Sequence, residues 1–84
     1  MSDLHDLGLA LREERKRLGL TQAEVAVRTG MSRATLSLLE NGIVPELGIR
    51  KVLRVVELLR LELAVRPAGA PPTLEELQAE QEAE

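Results

Sequence analysis

No cysteine, phenylalanine, tyrosine or tryptophan occurs in the 84 residues. Without cysteine there is no disulfide framework, no thiolate nucleophile and no thiolate metal ligand. Without aromatic rings, stacking on unpaired bases is excluded, and with it single-strand nucleic-acid binding by that route. No apolar run approaches the length of a membrane span and no signal-peptide pattern opens the chain. The expected location is therefore cytoplasmic, with no membrane partner. Histidine is almost as scarce: His5 stands alone near one end, where a solvated ring is the default. A metal site would need carboxylates alone, and neither a cation-binding loop nor a glycine-rich phosphate loop is visible. No cofactor and no enzymatic activity are expected.

What is present is a small aliphatic protein. Hydrophobic residues make up 44% of the chain, so its core must be built from Leu, Val, Ile, Ala and Met. A chain this short forms one domain at most and buries a modest share of its surface, so a second subunit would help it. The formal net charge of −3 is unevenly divided. All 11 Lys and Arg lie within residues 1–66 beside nine acids, a balance of +2, while Glu75, Glu76, Glu80, Glu82 and Glu84 give the tail −5. The expected division is a folded, dimerising unit over 1–66, then a stiff Pro-rich linker and acidic tail over 67–84. The tail carries its own capping box, Thr73 to Glu76, with Leu74 and Leu77, but about a dozen residues make a marginal helix in water. It reads as a solvated, disordered end, or else as a segment that binds a partner or competes with DNA.

Periodicity places the elements. Leu4, Leu7, Leu11 and Leu18 share one face of a helix over 4–18. Position 14 falls on that face and is Glu14, so either the stripe is interrupted or Glu14 lies at its edge with its carboxylate in water. Arg12, Arg15, Lys16 and Arg17 gather near the end, where cations suit the helix dipole, and Gly19 stops the helix. Thr21 with Glu24 forms a capping box that opens a second helix, with Val25, Ala26 and Thr29 inward. Gly30 ends it at positive φ. Met31 plugs the turn and Ser32 caps a third helix reaching about Glu40. Leu36 and Leu39 point inward there, while Arg33, Ala34, Ser37 and Leu38 point outward. Asn41-Gly42 is a stop. After a loop containing Pro45, a fourth helix over about 47–59 buries Ile49, Val52, Leu53, Val56 and Leu59. The period then changes. Leu61, Leu63 and Val65 alternate with Glu62 and Ala64 in a strand pattern that Pro67 ends. A lone strand leaves its backbone unpaired, and its simplest partner is the same strand of a second copy. The alternative is that the fourth helix continues to Arg66.

The organising stretch is Thr21 to Gly42. Counting Gln22 as position one puts Ala26 at five, Gly30 at nine, Leu36 at fifteen and Leu39 at eighteen. A small residue permits one helix to cross another, glycine permits the turn, and the leucines anchor the second helix while its other face stays free. With GLTQAEVA followed by MSRATLSLLENG, the chain resembles the Cro/cI-like, or XRE, helix-turn-helix family over about residues 7–59. That resemblance implies an all-α, lambda-repressor-like domain of five or nearly five helices, whose third helix enters the major groove of double-stranded DNA.

Carried over by position, Arg33, Ala34 and Ser37 would face base edges, with Ser32 and Leu38 at the margin. Arg33 could grip guanine O6 and N7 bidentately, and Ala34 could meet a thymine methyl. Gln22 would hold a phosphate, with Thr21, Arg28, Thr35 and Asn41 as weaker phosphate contacts. The family also implies a buried ion pair between Arg15 and Glu40. A narrower resemblance lies in LRLELAV, residues 59–65, which is similar to the helix-to-strand ending of HipB-type antitoxins. It implies that Leu61, Leu63 and Val65 pair across a homodimer, and that a HipA-type kinase toxin is a partner. The Pro-rich acidic tail departs from that pattern. The function so implied is sequence-specific repression from a palindromic operator, autoregulatory within a toxin pair. A stand-alone regulator and a protein-only adaptor remain the alternatives.

Overall fold

In the computed structural model, which describes residues 3–69, the chain forms four helices: α1 (Leu4–Arg17), α2 (Gln22–Thr29), α3 (Arg33–Glu40) and α4 (Ile49–Leu58). Side chains cap three of their starts. Asp3 accepts the Asp6 N–H at 2.8 Å. Thr21 Oγ1 accepts the Glu24 N–H while Glu24 Oε1 accepts the Thr21 N–H, both at 3.1 Å. Ser32 Oγ accepts the Thr35 N–H at 3.0 Å. Each cap satisfies a donor that a helix start leaves without an intrahelical partner. The Thr21 N–H and side chain hold the Glu24 carboxyl below its ordinary range.

All four helices stop in the same way. Gly19, Gly30, Gly42 and Arg60 take the left-handed conformation, with φ of 73°, 70°, 73° and 59°. The N–H of each, and of the residue after it, turns back onto carbonyls of the last turn. For α1 these bonds are Gly19 to Lys16 and Leu20 to Arg15. For α4 they are Arg60 to Glu57 and Leu61 to Val56. Glycine takes this conformation freely, whereas it costs a residue with a side chain about 1 kcal/mol. Arg60 thus ends α4, and the helix does not continue to Arg66. Residues 61–67 form neither helix nor strand within the single chain. Leu61 is half-buried and packs against the core cluster that contains Val56. The described residues therefore hold four helices, not five, and the acidic segment 73–84 with its capping box lies outside them.

α1 lies across α3, and α2 packs against both α3 and α4. Leu11, Val25, Leu36, Leu39, Val55 and Leu59 are the most deeply buried large side chains. Met31 fills the turn between α2 and α3, and Ala26 is buried where a larger side chain would hold these helices apart. Two expectations about α4 fail. Ile49 is 61% exposed and Leu53 36%, while Val55 is 1% exposed and the loop residue Val44 is also buried. The helix begins at Ile49, two residues later than expected, and turns Val52, Val55, Val56 and Leu59 inward. Val55 therefore replaces Leu53 on the buried stripe. Glu14 sits at the margin of α1, where Arg17 pairs with it and holds its carboxyl below the ordinary range.

The α1–α3 contact is closer than side-chain packing allows. A Cβ built on Gly8 would run into the Leu39 carbonyl oxygen and lie 2.7 Å from that of Glu40. Gly42 closes the same seam: its Cβ would come 2.5 Å from His5 Cα. Neither obstacle is a flexible side chain, so relief requires the helices to separate. A Gly8→Ala substitution should lower stability by about 1–3 kcal/mol despite alanine's better helix propensity. A thermal melt should show this as a fall in Tm of roughly 5–20 °C.

Candidate nucleic-acid interface

The turn Gly30-Met31-Ser32 joins α2 to α3 and fixes which side of α3 is free. Leu36, Leu39 and Glu40 are buried; Arg33, Ala34 and Leu38 are exposed, and Thr35 and Ser37 are half-buried. This face presents one guanidinium, the Ala34 methyl, the Leu38 side chain and partly accessible hydroxyls to solvent. The Arg33 side chain makes no hydrogen bond or ion pair with any described residue. The Ser32 hydroxyl is occupied, accepting from Thr35 N and donating to Thr35 Oγ1 at 2.8 Å. Asn41 spends its amide nitrogen on the Ser37 carbonyl at 2.9 Å, which leaves its side-chain oxygen without a described partner.

Beside this face, a cleft of about 440 Å³ opens between the end of α1, the start of α2 and both ends of α3. Arg12, Arg15, Leu20, Thr21, Gln22, Arg33, Glu40 and Asn41 line it. A buried ion pair forms its floor. Arg15 Nε donates to Glu40 Oε2 at 2.7 Å and Nη2 to Oε1 at 3.0 Å, while Nη1 donates to the Leu20 carbonyl at 2.8 Å. Gln22 Nε2 donates to the same Glu40 Oε1 at 3.0 Å. Among the described residues no buried side-chain nitrogen or oxygen lacks a partner. The geometry thus ties three separate points together: the end of α1, the start of α2 and the end of α3.

Gln22 is consequently not a free arm. One amide N–H serves Glu40, and its other N–H and its oxygen remain for a ligand. The N–H groups of Gln22 and Ala23, the first two of α2, have no intrahelical acceptor and add a positive dipole end beside the cleft. Thr21 is engaged in the capping box, and Arg28 is exposed in the last turn of α2. Leu63 and Val65 are 43% and 97% exposed, whereas Leu61 packs on its own chain.

Two residues that matter here were not assigned to the site from sequence. Gly8 sets the α1–α3 distance. Arg12 lies three residues before Arg15 on α1, a spacing that puts both on one helix face and could have marked it for the cleft.

The family model for a helix-turn-helix domain matches residues 6–69. The chain belongs to the helix-turn-helix domain family. The helix-turn-helix unit is then α2 and α3 with the turn at Gly30. A relative from Methanothermobacter thermautotrophicus, described as an uncharacterized HTH-type transcriptional regulator, is 56% identical over 32 residues. That match covers 38% of this chain and spans 46% of the relative, under half its length. A solved structure of the SinR protein/SinI protein complex aligns at a TM-score of 0.62 with 20% identity, covering 90% of this chain and 78% of that one. At that identity the likeness shows the fold. No helix among the described residues is long and apolar enough to cross a membrane.

Removing one partner of the buried pair strands a charge, so Glu40→Leu in this helix-turn-helix domain should cost about 3–5 kcal/mol. The Arg15→Met/Glu40→Leu double variant should recover most of that loss, as denaturant unfolding of the four cycle members would show.

Proposed function

We propose that this chain is a sequence-specific DNA-binding transcriptional regulator that acts as a repressor, with α3 laid in the major groove. The observation that carries the reading is the position of Arg33. It occupies the first turn of α3, where the helix dipole disfavours a cation by roughly 0.3–1 kcal/mol. It is exposed and pairs with no described residue. A cation that weakens its own helix and finds no protein partner fits a role toward an external anion or base. In this reading Arg33, Ala34 and Ser37 face base edges, with Ser32 and Leu38 at the margin. Gln22 and the N-terminus of α2 hold a backbone phosphate, with lesser contacts from Thr21, Arg28, Thr35 and Asn41. Ser32 contributes least, because its hydroxyl is already committed to Thr35.

A body with a charge of only +2 over residues 1–66 gives little electrostatic binding in one copy. Two copies would double the contacts and set the α3 helices about 34 Å apart on a palindromic operator. We assign the dimer contact to residues 61–65, where an extended chain would pair with its counterpart. Leu63 and Val65 supply the exposed apolar side chains, and Leu61 anchors the segment to its own core. Pairing of this kind is the HipB-type arrangement, and it carries the narrower reading of an autoregulatory antitoxin with a HipA-type kinase partner. A stand-alone regulator and a protein-only adaptor are the competing readings. Co-purification with a kinase-like neighbour separates the first from the others, and DNA binding separates the second from the third.

Arg33→Ala should weaken binding to a DNA duplex selected by the protein from a random pool by about 1–3 kcal/mol and relax the preference at one base position. Unchanged binding at moderate salt would remove Arg33 from the base-reading set. Leu63→Pro deletes a backbone donor and should shift the mass measured by sedimentation toward the monomer. A dimer as tight as wild type would place the interface elsewhere.

A further inference from the structure

Arg12 lies outside the helix-turn-helix unit, yet it lines the cleft together with Gln22 and Arg33. We infer that Arg12 is a DNA phosphate contact, closing from α1 a clamp whose other jaw is Gln22 and the first N–H groups of α2. The inference rests on the DNA-binding reading above and deepens it.

Three observations lead there. The first is charge. Arg15 and Glu40 neutralise each other on the cleft floor, so the charge the cleft presents to solvent comes from Arg12 and Arg33. Both are exposed and neither pairs with a described residue. The carboxylate that lines the cleft is Glu40, and its oxygens are already taken by Arg15 and Gln22. Two unneutralised guanidinium groups on one concave wall make a site for an anion.

The second is the kind of ligand. Beside the two guanidinium groups, the cleft offers the second amide hydrogen of Gln22 and the Gln22 N–H, which has no intrahelical acceptor. A phosphate group accepts from all of these. The third is rigidity. Arg15, three residues on from Arg12, belongs to a hydrogen-bond network that joins α1 to the start of α2 and the end of α3, so α1 cannot slide relative to them. The helix that carries Arg12 is therefore held at a set distance from Gln22, as a two-jawed clamp requires.

The test compares wild type, Arg12→Ala, Arg12→Lys and Gln22→Ala. The probes are the duplex selected by wild type from a random pool and an unrelated duplex of the same length, across a range of salt concentrations. Arg12→Ala should weaken both duplexes by the same factor, about fivefold at 0.15 M salt, and make the slope of log K against log salt shallower by about 0.9. Arg12→Lys should restore the slope. Because Arg12 is exposed, thermal melts of the two Arg12 variants should match wild type. If Arg12→Ala changes neither affinity nor slope while Gln22→Ala weakens binding, the clamp is wrong and the DNA-binding reading stands. A loss confined to the selected duplex would make Arg12 a base reader and overturn the phosphate assignment. If wild type enriches no duplex and binds none, the reading and the inference fall together.

Discussion

The buried network of Arg15, Glu40 and Gln22 is the constraint on which the rest of this structure depends. Aliphatic side chains hold the four helices together, but apolar packing is weakly directional and would tolerate α3 rotating about its axis. The guanidinium–carboxylate pair does not. Arg15 uses Nε and Nη2 on one carboxylate and Nη1 on the Leu20 carbonyl, so the plane of the fork is fixed. Gln22 then fixes the start of α2 to the same carboxylate. Such a pair adds little net stability over an apolar replacement, because taking both charges out of water offsets their attraction. Its contribution lies in orientation. Together with the turn at Gly30, it holds the end of α3 against α1 and so keeps the outward face of α3 in place.

Backbone proximity makes that network possible. Gly8 and Gly42 let α1 and the end of α3 approach until backbone atoms of one helix touch the other. With side chains at those positions the seam would widen, and the Arg15 fork would no longer reach Glu40 with its present geometry. Small residues and a charged pair thus serve one purpose at two scales. The aliphatic core is correspondingly economical: Val, Leu, Ala and Met fill the spaces between short helices without any aromatic ring. The outward face of α3 and the cleft beside it are the surfaces left over once these constraints are met. The chemistry they present, guanidinium groups and amide donors, suits a phosphate backbone and base edges together.

The features legible in the sequence are the local ones. Helix starts are written in single side chains, so the caps at Thr21 and Ser32 could be read directly. Three stops could be read as well, because glycine at 19, 30 and 42 takes the left-handed conformation cheaply. The fourth stop uses the same hydrogen bonds around Arg60, and nothing in an arginine announces positive φ. The change of hydrophobic period after Leu59 marked the end of α4 instead; the strand it suggested over 61–65 is not formed within the single chain. The buried stripe of α4 was misplaced because Val52, Leu53, Val55 and Val56 are all apolar. Periodicity alone cannot choose among them; contact with α2 does. Gly8 was invisible because its reason is a backbone from a helix some thirty residues away. Arg12 read as an ordinary helix-end cation until the cleft beside it could be seen.

The central claim is that the network on α1 presents α3 to DNA. Backbone amide chemical shifts of the full chain, followed as the selected duplex is added, test it most directly. The account predicts the largest changes at residues 32–38 and at Gln22 and Ala23, with the buried side of α4, Val52 to Val56, little affected. Saturable changes centred on α4, with residues 32–38 unmoved, would contradict it.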